Sequence, residues 1–243
     1  MAEYLRRFYR ESMDAAGLVP FRVIIRESDL LVFAQRDLTA EARASLAAHR
    51  ADLEDFIVRQ PRFRTTHRPY DVPEDSPPVV RLMASAAAGA GVGPMGAVAG
   101  AIAQVVGEDL KPLSPEIIVE NGGDIFIRSR RERRVGVFAG DSPLSGRLAL
   151  RIPPTPPQGL GVCTSSATVG PSFSAGRADA ALVVAGNAAL ADAAASALGN
   201  RVKQRDDVEE ALAAVSAIAG VIGCLVIIGE HLGVLGDLEI ERT

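Results

Sequence analysis

An α+β fold, with an antiparallel sheet and helices packed on one side of it, is the class that this sequence predicts. Three observations carry the prediction. Short β-branched runs bounded by turn residues outnumber strand–helix–strand units. The long uncharged segment from Leu82 to Gly107 is mostly Ala and Gly, a composition that suits buried helices. The 243 residues are 48% hydrophobic and 23% charged, so the chain can bury a substantial core. It reads as one domain over residues 1–243, with a hairpin and helix attached over roughly residues 1–75. No internal repeat is visible.

Taken in order, Phe21–Ile25 and Leu30–Ala34 flank Glu27-Ser28-Asp29 and read as a hairpin. Thr39 is placed to cap a helix whose Leu46, Leu53, Phe56 and Ile57 share a face, and Pro61 ends it. A proline-spaced linker near Val72–Pro78 leads into the Ala/Gly segment, read as two helices broken around Gly93-Pro94. Strands are expected at Ile117–Val119, Ile125–Ile127, Arg134–Phe138, Leu148–Ile152, Gly161–Thr164 and Ala180–Ala185. Helices at Ala188–Leu198 and Asp206–Ile218 follow, and strands at Cys224–Ile228 and Val234–Ile240 close the order.

Charge and cysteine usage exclude several classes of function. A formal charge of −4 and a pI near 5.5 give no basic surface for a nucleic-acid partner. The one basic cluster, Arg128, Arg130, Arg131, Arg133 and Arg134, falls where a solvated hairpin turn is expected between Ile127 and Val135. Cys163 and Cys224 are far apart and show neither disulfide nor zinc spacing. Pro94 and the scarcity of large apolar side chains argue against a membrane span in Leu82–Gly107. The start, MAEYLRRFYRESM, is charged and carries no export signal, so a cytoplasmic location is expected.

The stretch Val119–Ile127, VENGGDIFI, is the most informative. Asn-Gly between β-branched runs is a strong hairpin signal, and two glycines beside an acid would leave backbone N–H groups unshielded for a ligand. In the helix near Ala188, Asp192 and Ser196 lie four residues apart and stack on one face, suiting a hard cation such as Mg²⁺. The same spacing also fits an aspartate that merely favours the helix dipole. Thr164-Ser165-Ser166 at a strand end offers hydroxyls to phosphate, or forms an ordinary turn. Gly91-Val92-Gly93-Pro94-Met95-Gly96 spells a dinucleotide fingerprint, but a helix rather than a strand precedes it, so the glycines are read as letting a helix pack closely on the sheet.

These segments together resemble the ApbE superfamily, flavin transferases that move FMN from FAD onto protein threonines. IIVENGGDIFI is similar to its Asn-x-Gly-Gly-Asp segment, CTSSA to its Thr-Ser-Gly turn, and NAALADAAASALGN to its Ala-Asp-Ala-x-x-Thr helix. GVGPMGAVAGAIA, NGGD, TSS and ADAAA also resemble the uncharacterised UPF0280 branch nearly throughout. The resemblance implies an ApbE-like, T-fold-related antiparallel sheet. It implies that Asn121, Gly122, Gly123, Asp124, Thr164, Ser165 and Ser166 bind a flavin nucleotide, FAD or FMN, or another diphosphate, and that Asp192 and Ser196 hold Mg²⁺.

The departures from the enzymes matter equally. Their His-Ile-x-Asp-Pro segment has no counterpart in TVGPSFSAGRADAALVVAGN, and the lysine of their Ala-Lys-Gly run is replaced at Ala99. Transfer chemistry then lacks its proton-handling groups. His67, Cys163 and Asp179 are the remaining catalytic candidates. Cys163 next to Thr164 also opens an alternative, a cytoplasmic sulfur-handling protein. A third reading is a non-catalytic member of the fold that self-associates as a homo-oligomer. A small-molecule ligand is the expected partner.

Overall fold

The computed structural model describes residues 15–166 and 176–243. The opening segment quoted above, up to residue 14, and part of the interval that departs from the transferases lie outside the described residues. Strands β1 (Val19–Ile25) and β2 (Ser28–Ala34) form the first hairpin. Helix α1 (Thr39–Arg59), the short α2 (Arg62–Thr65), α3 (Pro78–Ala90) and α4 (Val98–Leu110) follow, the last two joined through a 3-10 turn at Pro94–Ala97. Then come β3 (Ile117–Asn121), β4 (Asp124–Arg128), β5 (Arg133–Val137), β6 (Leu148–Ile152), β7 (Leu160–Ser165) and β8 (Ala180–Ala185). Helices α5 (Ala188–Arg201) and α6 (Val208–Ser216) precede β9 (Val221–Ile228), β10 (His231–Gly236) and β11 (Glu239–Arg242).

Eight strands form one sheet in the order β1-β2-β3-β4-β7-β8-β9-β10, with every neighbouring pair antiparallel. The expected α+β class with an antiparallel sheet is therefore the class found. Period-2 alternation divides this sheet between two cores. Val119, Phe126, Cys163, Val183 and Val226 point to one face, where α1, α4, α5 and α6 pack, with α3 laid against α1, α4 and α5. Ile118, Ile125, Val162, Leu182 and Leu225 point to the other.

The expectation placed helices on one side of the sheet and named nothing for the other, and the second face is covered as well. A three-stranded sheet, β11-β6-β5, covers it with Val135, Val137, Leu148, Leu150 and Ile152. Two sequence readings fail for this reason. The arginine-rich stretch does not turn a hairpin: β4 pairs with β3 and β7, β5 pairs with β6, and the stretch crosses between layers. Arg133 is buried there, its guanidinium bonded to the Ser129 hydroxyl (2.9 Å), the Glu116 carboxylate (3.1 Å) and the Ala16 carbonyl (2.8 Å). The expected strand Val234–Ile240 is likewise two strands in different sheets, with Leu238 between them packed into the second core.

Thr39 does not cap α1. It is the first helical residue, and the Asp37 carboxylate accepts from its N–H (2.8 Å) and hydroxyl (2.6 Å), a local turn that a short acidic side chain favours. The break between α3 and α4 is where Gly93-Pro94 placed it, and the helices meet at 102°. Among the described residues no single helix is long and apolar enough to cross a membrane. The G-x-G-x-x-G glycines do serve close packing, but not on the sheet. A Cβ on Gly93 would lie 2.0 Å from the Thr66 carbonyl oxygen, and Gly96 faces Ser196 of α5.

Candidate functional site

The site is built where one end of the eight-stranded sheet meets α4 and α5. Asn121 and Asp124 are register partners across the β3–β4 turn, with Gly122 and Gly123 between them at φ +72° and +103°. Two consecutive positive φ values select a type I′ turn, which glycines adopt without strain. Alternation sends both Asn121 and Asp124 to the helical face. There the Asn121 side-chain amide donates to the Ala99 carbonyl (3.1 Å), fastening the turn to the start of α4.

Helix α5 reaches the same place from the other side. Asn187 caps it by accepting from the Leu190 N–H (2.8 Å), and Gln104 of α4 accepts from the Ala188 N–H (2.8 Å). One turn along, Asp192 Oδ2 accepts from the Gly100 N–H at 2.8 Å. The side chain that caps the first turn of α4 therefore comes from a different helix, since the N-cap residue Ala97 has no side-chain acceptor. Gly100 permits this approach: a Cβ there would lie 2.2 Å from the Ala188 carbonyl oxygen and 2.7 Å from the Asp192 Cβ. Ser196, a turn further, donates its hydroxyl to the Gly96 carbonyl (3.2 Å).

Asn121 and Asp192 thus converge on Ala99–Gly100, Asp124 lies close enough to Asp192 for their charges to interact, and both aspartates are buried, at 8% and 9% exposure. Burial raises the Asp124 carboxyl well above its ordinary range, and the nearby Asp192 charge raises it further. Burial likewise lifts Asp192 to about 7, against the pull of the Gly100 and Ala99 amides. Asp124 accepts from the Thr164 N–H and lies within reach of the Cys163 thiol, yet its Oδ1 has no hydrogen-bond partner. An acceptor left so inside a protein costs roughly 1–3 kcal/mol, so its presence asks for a reason.

The opposite face of the same turn forms a cleft of about 70 Å³ between the two sheets. Ile125, Val135 and Phe138 give it apolar walls, Thr164 and Ser166 supply hydroxyls, and Glu120 lines it as well. Glu120 Oε1 accepts from the Gly123 N–H (2.8 Å), so that amide is engaged rather than unshielded as the sequence suggested. The sequence-predicted residues are accordingly divided. Asn121, Asp124, Asp192 and Ser196 lie on the helical side; Thr164 and Ser166 lie on the cleft side, with Gly122 and Gly123 as the common border. Ser165 turns to the helical side but packs near Gly199, at the far end of α5 from Asp192.

The catalytic candidates fare differently. Cys163 is fully buried, its thiol 3.3 Å from the Ala188 carbonyl, and burial together with Asp124 and Asp192 pushes its pKa well up. A thiol so held is the opposite of a reactive thiolate and does not favour the sulfur-handling alternative. Asp179 accepts from the Gly229 N–H (2.7 Å) and so fastens the β9–β10 turn. His67 is exposed on the loop that packs against Gly93. Glu120 and Gln104 escaped the sequence reading. A lone glutamine among Ala and Val in α4 was the available signal for the second.

Because the Asp124–Asp192 pair favours its protonated state, chelator-treated protein should lose stability as pH rises. The folded chain keeps a proton up to about 7 that an unfolded aspartate releases near 3.8, so the contribution is complete below the lower value and gone above the upper. The difference is on the order of 4 kcal/mol at about 1.4 kcal/mol per pKa unit, shared across the pair. Carboxylates held low, Glu116 among them, act in the opposite sense at more acid pH. Urea midpoints between about pH 5 and 8 should therefore fall with rising pH, and Asp192→Asn should flatten the trend. A wild-type profile that rises over this window would contradict the assignment. Asp192 and Asp124 act on each other and on Cys163, and the Glu120 charge, from the other face of the sheet, also raises Asp124.

A family model described as AbpE bacteria matches residues 10–234. A UPF0280 protein of Methanocella arvoryzae is 44% identical over 215 residues, covering 88% of this chain and 87% of that protein. The chain belongs to the UPF0280 family. Another UPF0280 protein, from Methanocaldococcus jannaschii, is 39% identical over 228 residues, covering 91% of this chain and 93% of its own. Among solved structures, the apo form of the Pseudomonas stutzeri flavinyl transferase ApbE matches with a TM-score of 0.59 at 16% identity, covering 90% and 93% of the two chains. The ApbE protein of Thermotoga maritima matches at 0.57 and 13% identity, covering 89% and 96%. This UPF0280 chain therefore has the ApbE-like fold; at such identities the likeness speaks for architecture alone.

Proposed function

We propose that this chain binds a diphosphate-bearing nucleotide, with a flavin nucleotide as first candidate, together with Mg²⁺ where the β3–β4 turn meets α5. The observation that carries the reading is the pairing of two buried carboxylates, one with an unpaired oxygen, on one face of a glycine turn whose other face borders an apolar-walled cleft. Among the described residues no group of three or more His, Cys, Asp and Glu side chains could enclose a metal. That donor set fits Mg²⁺, which takes one or two carboxylates and completes its shell with phosphates and water. Asp192 would hold the ion, with the Ser196 hydroxyl one turn away. When bound, Mg²⁺ would neutralise the diphosphate charge. Thr164 and Ser166 are set to donate to the nucleotide on the cleft side, where Ile125, Val135 and Phe138 suit an aromatic ring.

A thermal-shift titration tests this. FAD or ADP with Mg²⁺ should raise Tm by about 5–10 °C at about 100 times Kd, and neither nucleotide should do so with chelator. No shift with any diphosphate nucleotide would overturn the reading.

Binding need not bring transfer. His49 is paired with Asp109 (2.9 Å), His231 lies on the edge strand β10, and Ala99 stands where the transferases have lysine. Incubation with FAD, Mg²⁺ and a threonine-bearing acceptor should give no FMN adduct by mass spectrometry. Robust flavinylation would mean that another residue, His67 or Asp179, handles the proton.

A further inference from the structure

We propose that Asp124 is a direct cation ligand, so that Asp124 and Asp192 together hold the divalent ion before any nucleotide arrives. This rests on the reading above and adds an order of events to it: the ion is resident, and the nucleotide phosphates bind to an ion already in place.

The polar groups between α4, α5 and the β3–β4 turn are matched with one exception. The Asn121 amide donates to the Ala99 carbonyl, the Gly100 N–H donates to Asp192, Ser196 donates to the Gly96 carbonyl, and the Cys163 thiol lies on the Ala188 carbonyl. Each donor has an acceptor. The Asp124 Oδ1 has none, although the residue is more than nine-tenths buried. Without a cation the pair keeps a proton; once both carboxylates are ionised they can only accept, and the unmatched atom then requires a proton donor or a cation. The neighbouring donors are committed and the nearest other charge is the Asp192 carboxylate, of the same sign.

Geometry makes the pair persistent. Asp124 opens β4 directly after a turn whose two glycines fix the backbone, and its register partner Asn121 is tied to α4. Asp192 is tied to α4 as well. Neither carboxylate can move away from the other without breaking those bonds. Two buried like charges close enough to interact are costly alone and favourable around a divalent cation. An asparagine at position 124 would keep the shape of the turn without the repulsion. A carboxylate there has a use only if something positive is held.

The test uses the full chain without nucleotide and Mn²⁺ as probe, with free Mn²⁺ read by electron paramagnetic resonance and Mg²⁺ added as competitor. Wild type should bind Mn²⁺ saturably at one site per chain and release it to Mg²⁺. Asp124→Asn should weaken that binding on the order of 100-fold. It should also melt at a higher temperature than wild type in chelator at about pH 8 and lose the upward shift that Mg²⁺ gives wild type. Asp124→Ser provides the same comparison if the asparagine variant folds poorly. Unchanged Mn²⁺ affinity in the variant overturns the proposal. So does wild type that binds ADP with Mg²⁺ but no Mn²⁺ alone, which would leave the nucleotide reading standing. Failure of nucleotide binding under every metal condition would remove that reading instead, while resident Mn²⁺ lost in Asp124→Asn would still support the ion site.

Discussion

Asp192→Ala should abolish Mg²⁺-dependent nucleotide binding while leaving the protein folded. The variant removes the carboxylate of α5 from the ion and exposes the first amides of α4, so affinity for FAD or ADP with Mg²⁺ should drop at least on the order of 100-fold. Two opposing effects decide the fold. Loss of the acceptor at the start of α4 costs about 1 kcal/mol, by analogy with ordinary N-caps. Relief of a buried carboxylate whose pKa stands near 7 returns a few kcal/mol at about pH 8. Relief is the larger, so without cation the variant should melt no lower than wild type. Ser196→Thr, which keeps the hydroxyl near Gly96, should retain binding. Calorimetric titration with Mg²⁺ and nucleotide checks both variants, and undiminished binding by Asp192→Ala would exclude this aspartate as the ion's ligand.

Gly100→Ala should harm both stability and binding. Alanine improves intrinsic helix propensity by about 1 kcal/mol, but the new Cβ would meet the Ala188 carbonyl oxygen at 2.2 Å and the Asp192 Cβ at 2.7 Å. Neither is a flexible side-chain end. Overpacking against backbone costs roughly 1–3 kcal/mol or more and should dominate, lowering Tm by roughly 2–10 °C. Relief of the clash moves α5 away from α4 and takes Asp192 with it, so cation affinity should fall as well. Gly89→Ala is the matching control. Its Cβ would sit 3.8 Å from the Leu190 Cδ1, an ordinary contact, and the helix should tolerate it. A Gly100→Ala protein as stable as wild type would show that the α4–α5 contact is looser than it stands here.

Local signals carried much of this architecture in the sequence. The Asn-Gly turn, the Gly93-Pro94 break and the period-2 runs each depend on neighbours within a few residues, and each is found where those neighbours put it. The second sheet depends on none of them. β5 and β6 look like any hairpin strands, and only the nearly unbroken burial of β3, β4 and β8 reveals a layer on both faces. Arg133 illustrates the same limit, because its burial depends on Glu116 and Ala16, outside its own segment. At the site, helical spacing singled out Asp192 and Ser196. The facing of Asp192 by Asp124 is a product of the fold. Thr164 and Ser165 were grouped by adjacency, although strand alternation sends adjacent side chains to opposite faces.

Helix α5 has a further consequence through its composition. Ala188, Ala189, Ala191, Ala193, Ala194, Ala195 and Ala197 are all buried in it. Alanine has no side-chain rotamers, so over most of the layer between this helix and its neighbours the thickness is fixed by methyl groups and backbone, with Leu190 and Leu198 the larger buried side chains of the helix. Such a layer works as a gauge block. A ligand that needed Asp192 a little nearer to Asp124, or a little further away, would find few side chains to repack around that residue, and the helix itself would have to slide. Tolerance at the site should therefore be narrow for ionic radius, and a variant library that enlarges these alanines should change which cation is accepted before it changes how tightly the sheet holds together.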